Sequence, residues 1–263
     1  MKDVTYLLPC RIESEDRLRN VITSVSYILK TFPESKVLVK EVDTQSHFSE
    51  SALPRIKKYV GDTSQLKHIF EQNSEKLFHK TRILNDLCVA ADTPILYNHD
   101  VDVVVLKNSH ELAYRAITKE GSDAVYPFGC GIYQWAVTYS DILLDKFLSS
   151  HDGTDADYEV LKDAKVRIPS SIGWGQMITK SCEISAGLWN EEFLSWGAED
   201  CEFYYRLNLF GFKVGRVIDD IYHFEHGRTF NSHYHNPKFQ DNDRLWNWIR
   251  TQDKESLTQY YGK

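Results

Sequence analysis

The chain has 263 residues, 42% of them hydrophobic and 26% charged, which is the make-up of a folded globular protein with one large core or two unequal lobes and excludes a disordered class. Its formal charge of -7, with no strongly basic run, argues against a nucleic-acid partner, because phosphate affinity comes from clustered Lys and Arg. Five cysteines, Cys10, Cys88, Cys130, Cys182 and Cys201, form no Cys-x-x-Cys pair and are expected as free thiols in a reducing compartment.

Residues 4–8 read as a buried strand closed by Pro9, too short for a signal peptide. No later run reaches the roughly 20 apolar residues of a membrane span. The expectation is a soluble, cytoplasmic protein, with peripheral attachment to a membrane left open. Ser14, Glu15 and Asp16 then open a helix whose apolar face is Leu18, Val21, Ile22, Val25, Ile28 and Leu29. Residues 37–42 read as a second strand ending at Asp43, residues 66–70 as a short third, residues 81–91 as a helix, and residues 95–97 as a strand leading to Asp100 and Asp102. Such alternation implies an α/β fold, Rossmann-like, with a mostly parallel sheet covered by helices on both faces. Ligands of these sheets sit beyond the carboxyl ends of the strands, so Pro9, Arg11, Asp43, Asp100 and Asp102 are expected around one crevice.

The polar stretch 149–171 reads as an excursion or lid, and its acids Asp152, Asp155 and Asp157 lack the spaced ligands of a calcium loop. Residues 198–210 form a helix with Phe203, Leu207 and Phe210 on one face and Gly211 as its C-terminal cap. Glu199 and Asp200 then fall in its first turn, where acids either serve chemistry or simply stabilise the helix end. Trp246 and Trp248 are read as docking a terminal helix.

Three sets of residues carry chemistry. Asp100 and Asp102 flank one residue at a strand end, so both carboxylates can face the same side, one toward a cation and one toward a ribose or a supporting donor. An Asp-x-Asp tripeptide is common by chance, but His223 and His226 add imidazole, a good ligand for first-row metals; His233 and His235 are read as surface residues. Carboxylate plus imidazole favours manganese, with magnesium second, since magnesium prefers oxygen and bound water. Trp196, flanked by glycine, is either a lid that stacks on a sugar or a core residue.

These elements resemble the β-1,4-galactosyltransferase family, including its bacterial chondroitin-polymerase-type relatives, in matching order over most of the chain. Phe78-His79-Lys80-Thr81-Arg82-Ile83-Leu84-Asn85 is similar to the family's Phe-Asn-Arg-Ala-Lys-Leu-Leu-Asn, and His99-Asp100-Val101-Asp102 to its His-Asp-Val-Asp. The most specific block is residues 187–200, ending Trp196-Gly197-Ala198-Glu199-Asp200, which resembles Gly-Phe-Pro-Asn followed by Trp-Gly-Gly-Glu-Asp. The resemblance implies a GT-A-type fold and a metal-dependent, inverting transfer of a hexose, of galactose or N-acetylhexosamine type, from a UDP-sugar to a hydroxyl of a carbohydrate acceptor.

By position, the resemblance places Pro9, Arg11, Phe78 and Lys80 on the nucleotide, Asp102 and His226 on the metal, and His223 on the family's Met ligand. It makes Trp196 the mobile-loop residue over the sugars, Glu199 a sugar-contacting acid and Asp200 the catalytic base. It also implies one domain, with a nucleotide-binding half at about 1–108 and an acceptor and metal-completing half at about 109–263. The sequence departs from the family at Cys201 and Glu202, at Gly173-Trp174-Gly175, and over 129–171, an insertion without clear counterpart. Two other readings stay open: a sugar-nucleotide hydrolase or nucleotidyltransferase, and a non-catalytic carbohydrate-binding domain.

Overall fold

The computed structural model describes residues 1–152, 158–161, 164–166 and 171–262, except the side chains of 164–166 and His233. β1 (Val4–Cys10) runs into α1 (Glu15–Thr31), and β2 (Lys36–Asp43), α2 (Leu53–Val60), β3 (Leu66–Gln72), α3 (Lys80–Ala90) and β4 (Ile95–His99) follow in alternation. Next come β5 (Val103–Val105), α4 (Lys107–Glu120), β6 (Ala124–Tyr126), β7 (Gln134–Val137), α5 (Asp141–Ser150) and β8 (Ala164–Val166). The remainder is β9 (Gly175–Thr179), α6 (Lys180–Ala186), α7 (Glu199–Phe210), β10 (Val214–Arg216), β11 (Ile221–Phe224), α8 (Phe239–Ile249) and α9 (Lys254–Tyr260).

Seven strands make the central sheet in the order β10-β6-β9-β4-β1-β2-β3, with β9 antiparallel to both neighbours and every other pair parallel. Alternate strand residues point to opposite faces. Along β1, Val4, Tyr6, Leu8 and Cys10 pack with Val21, Ile22, Val25 and Ile28 of α1, whereas Leu7 packs with Leu84, Leu87 and Cys88 of α3. Both faces are covered, which is why these strands read as continuous apolar runs. Ser14 caps α1 by accepting the Arg17 N–H at 3.3 Å, and Gly211, in the left-handed region at φ 87°, ends α7.

A second sheet, β5-β11-β7-β8, was not anticipated from the sequence. The segment 129–171 contributes β7 and β8 to it and packs α5 on α1. Arg19 Nε donates to Asp141 at 3.2 Å, and Lys30 Nζ to the carbonyls of Leu148 and His151 at 2.7 and 2.8 Å. This part of the segment is a structural layer. Asp155, Asp157 and much of the proposed lid lie outside the described residues. At the far end Trp248 meets Tyr260 of α9, ring centroids 5.2 Å apart. All five cysteines are free thiols. Among the described residues no helix is long and apolar enough to cross a membrane.

The core also holds an acid. Glu183 on α6 is fully buried and accepts from Asn98 Nδ2 at 3.0 Å and Trp189 Nε1 at 3.1 Å. Burial pushes its carboxyl up to about 7 against the pull of those donors. With an ordinary value of 4.5, the folded chain holds a proton there that the unfolded chain lacks between those pH values. The resulting stability is complete below about pH 4.5 and is lost as pH rises through 7. Glu183→Gln is expected to abolish a difference of up to about 3 kcal/mol, read by urea unfolding at pH 5 and pH 8. A variant with the wild-type slope would refute this.

Candidate active site

The carboxyl ends of β1 and β4 open onto a cleft of about 700 Å³, a size suited to a small organic ligand. Pro9, Arg11, Phe78, Lys80, Asp100 and Asp102 line it from the first half of the chain, and Trp196, Glu199, Asp200, His223 and His226 from the second. Asp43 does not join them among the described residues: its carboxylate turns back to accept the Thr44 N–H at 2.7 Å.

The second sheet assembles one end of the cleft. Asp102 immediately precedes β5, β11 pairs with β5 so that His223 lies opposite Val103, and the Phe224 N–H donates to the Asp102 carbonyl at 2.8 Å. This register carries both imidazoles to one carboxylate: Asp102 Oδ2 is 3.6 Å from His223 Nε2 and 3.3 Å from His226 Nε2. One potential ligand atom from each of the three residues lies within 4.8 Å of the others. Burial alone would raise the Asp102 carboxyl, but the two histidines hold it well below the usual carboxylate range. Its second oxygen, Oδ1, is buried without a hydrogen-bond partner among the described residues. A carboxylate with a spare oxygen beside two imidazoles fits a divalent first-row cation. The Trp174 ring stacks on His223 at 5.3 Å and Glu225 lies 3.4 Å from its Nδ1, so the imidazole is held from two sides. His235 is exposed and outside the lining, while the His233 side chain lies outside the described residues.

Acids gather around Lys80. Lys80, in the first turn of α3, stands 3.0 Å from Asp100, 3.5 Å from Glu199 and 3.7 Å from Asp200. The two carboxylates of the Asp-x-Asp tripeptide are thus divided, Asp102 facing the histidines and Asp100 facing Lys80. Burial, then repulsion from Asp200, pushes Glu199 up to about 8 against the pull of Lys80. Burial also raises Asp100, and despite Lys80 it stands at about 6. Gly173 makes room for the cluster, since a Cβ there would fall 2.1 Å from Asp200 Oδ2. Glu202 turns away into the core, paired with the fully buried Arg206 at 2.7 Å; Cys201 stays in the lining.

Arg11 is occupied in a way the sequence does not reveal. Its Nε donates to the Val42 carbonyl at 2.8 Å and its Nη1 to the Lys76 carbonyl at 3.0 Å, while the guanidinium sits 5.6 Å from the Phe78 ring centroid. It ties the end of β2 to the loop that carries Phe78.

Trp196 is 37% exposed at the cleft mouth, stacked on Phe239 at 5.6 Å with Tyr234 edge-on at 6.1 Å. Three asparagine side chains fasten its loop. Asn236 Nδ2 and Asn242 Nδ2 donate to the Trp196 carbonyl at 2.6 and 3.1 Å, and Asn231 Oδ1 accepts from Ser195 Oγ at 2.9 Å and from the Phe78 N–H at 2.9 Å. Gly197 permits close approach, for a Cβ there would lie 2.4 Å from Asn242 Nδ2.

No protein-family model matches the chain, nor does any curated protein sequence. Solved structures do. The mannosyltransferase PcManGT from Pyrobaculum calidifontis, in complex with GDP-Man and Mn2+, is similar with a TM-score of 0.53 and 14% identity, over 85% of this chain and 56% of that one. S. aureus TarS 1-349 is similar with a TM-score of 0.54 and 15% identity, over 84% and 60%. The fold is of GT-A type. A Drosophila β1,4-galactosyltransferase 7 mutant in complex with manganese, UDP-Gal and xylobiose is also similar, with a TM-score of 0.47 and 13% identity over 81% of this chain and 63% of that one. The chain thus spans less than two thirds of each of these proteins.

Several lining residues escaped the sequence reading. Arg17 and Arg228 line the cleft together with the Asp102 group. Neither belongs to the Phe78, Asp102 or Trp196 motif. Phe239 and Asn231 looked like ordinary loop or helix residues, because their roles depend on contacts with residues far away in sequence.

Proposed function

We propose that the protein is a cation-dependent glycosyltransferase. It moves a hexose of galactose or N-acetylhexosamine type from a UDP-sugar to a carbohydrate hydroxyl, with inversion, as in β-1,4-galactosyltransferase-like enzymes. The observation that carries this reading is that one 700 Å³ cleft of a GT-A-type fold holds both the Asp102, His223 and His226 group and the Asp200 carboxylate. PcManGT, of similar fold, was solved with GDP-Man and Mn2+, which supports a sugar-nucleotide donor and a divalent cation.

In this reading Asp102, His223 and His226 hold manganese, with magnesium second, and Pro9, Arg11 and Phe78 shape the nucleotide pocket. The cation, when bound, offsets the charge that grows on the departing diphosphate. Asp200 takes the proton of the acceptor hydroxyl as its oxygen bonds to the anomeric carbon. The bond from that carbon to the diphosphate breaks, its electron pair leaving with UDP. Trp196 and Phe239 offer aromatic faces to a sugar ring, and Glu199 a polar contact. Residues 1–108 act as the nucleotide half and 109–263 as the acceptor half, in a cytoplasmic enzyme of surface-polysaccharide synthesis.

The test uses UDP-galactose, UDP-N-acetylgalactosamine, UDP-glucose and UDP-N-acetylglucosamine with Mn2+, with and without oligosaccharide acceptors. Acceptor-dependent release of UDP and a product of inverted anomeric configuration by NMR are expected. Equal release of UDP and free sugar without acceptor would instead make it a hydrolase.

A further inference from the structure

The resemblance puts Lys80 on the nucleotide, but the structure surrounds it with acids. We propose that Lys80 is the counter-cation of the base, a positioning residue that holds the Asp200 carboxylate charged and in place. The inference rests on the reading of Asp200 as proton acceptor.

Its ammonium lies within 4 Å of three carboxylates, Asp100, Glu199 and Asp200, and its side chain is only 16% exposed. A hydrogen bond to Asp100 Oδ2 at 3.3 Å adds to the ion pair. Among the described residues no other side-chain cation comes within 4 Å of Asp200 or Glu199. One positive charge therefore faces three acids in a buried place. Burial would lower the Lys80 ammonium, yet the acids hold it well above its ordinary value. A cation engaged with three acids has little charge to spare for a phosphate, and the cleft lining holds two further cations, Arg17 and Arg228.

Titratable groups face Asp200 from every side: Lys80 of α3, Glu199 and Cys201 of α7, Asp100 after β4, and Tyr126 of β6. Lys80 supplies the positive charge among them. During transfer the acceptor proton passes to an Asp200 oxygen, and Lys80 neither gives nor takes one. Without Lys80 no cation would face this group of acids among the described residues, and the Asp200 carboxylate would lose the partner that offsets its charge and fixes its place.

The experiment compares Lys80→Met and Lys80→Arg with the wild type. The acid limb of the kcat/KM profile is expected to move up by about one to three pH units in Lys80→Met and to return in Lys80→Arg. The Kd for UDP with Mn2+ should change less than about twofold. A tenfold weaker UDP complex with the acid limb unmoved would make Lys80 a nucleotide ligand and overturn the proposal. Carboxyl-carbon NMR gives a readout without turnover: Asp200 should titrate at higher pH in Lys80→Met, or in Lys80→Gln should the methionine variant not fold. An unmoved titration overturns the inference alone. A wild type that binds no UDP and transfers no sugar overturns the transferase reading, and the carboxyl titration then still decides whether Lys80 governs the Asp200 charge.

Discussion

Asp200→Asn is expected to slow sugar transfer about a thousandfold or more while leaving the Kd for UDP within about twofold. The amide has nearly the shape of the carboxylate, so it can keep the place that Gly173 leaves beside it and add no bulk to the cleft. What it loses is the ability to accept a proton, and a positioned general base is worth roughly 10² to 10⁴ in rate. Initial rates with the preferred UDP-sugar, together with calorimetric titration of UDP and Mn2+, separate these effects. Turnover near the wild-type rate would remove Asp200 from the mechanism. A parallel collapse of UDP affinity would mean that the substitution had damaged the cleft itself.

The second large effect belongs to the Asp102 group. Asp102→Ala and His226→Ala are each expected to weaken Mn2+ binding more than about a hundredfold, since even residues that only support a metal's ligands commonly cost 10- to 100-fold. UDP affinity measured with Mn2+ should fall with it, because in the proposed arrangement diphosphate and cation bind as one. Asp102 has the stronger claim: it lies within 3.6 Å of both imidazoles and carries the buried oxygen with no hydrogen bond. Electron paramagnetic resonance of free Mn2+ gives the first quantity and calorimetry the second. Unchanged Mn2+ affinity in both variants would sink the assignment of this group as the cation site.

The first half of the fold was legible because β1, β2 and β4 are buried on both faces and α1 sets its apolar side chains in a stripe. That produces apolar runs such as residues 4–8 and a helical stripe such as Leu18 to Leu29, periodicities that a sequence displays directly. The second sheet was not legible, for β5, β7 and β11 are three or four residues long, too short to show a period. Residue types carried part of the site. Asp102, His223 and His226 were grouped by chemistry, and the structure places them together through a register that no spacing encodes. The acidic surroundings of Lys80 were not legible, because its three neighbours come from sequence positions 100, 199 and 200. For Asp43 the strand end fixes the Cα, while a local turn sets its side chain outside the cleft lining.

The asparagine fastening of the Trp196 loop has a practical side. Asn231, Asn236 and Asn242 sit in the segment that follows His226, and they anchor the indole's backbone while Asn231 also reaches Phe78. Substitutions within residues 229–242 would therefore disturb the loop of Phe78 along with the aromatic rim at Trp196. Moving the loop without its asparagines would leave the Trp196 carbonyl and Ser195 Oγ without these partners, so the two stretches form one unit.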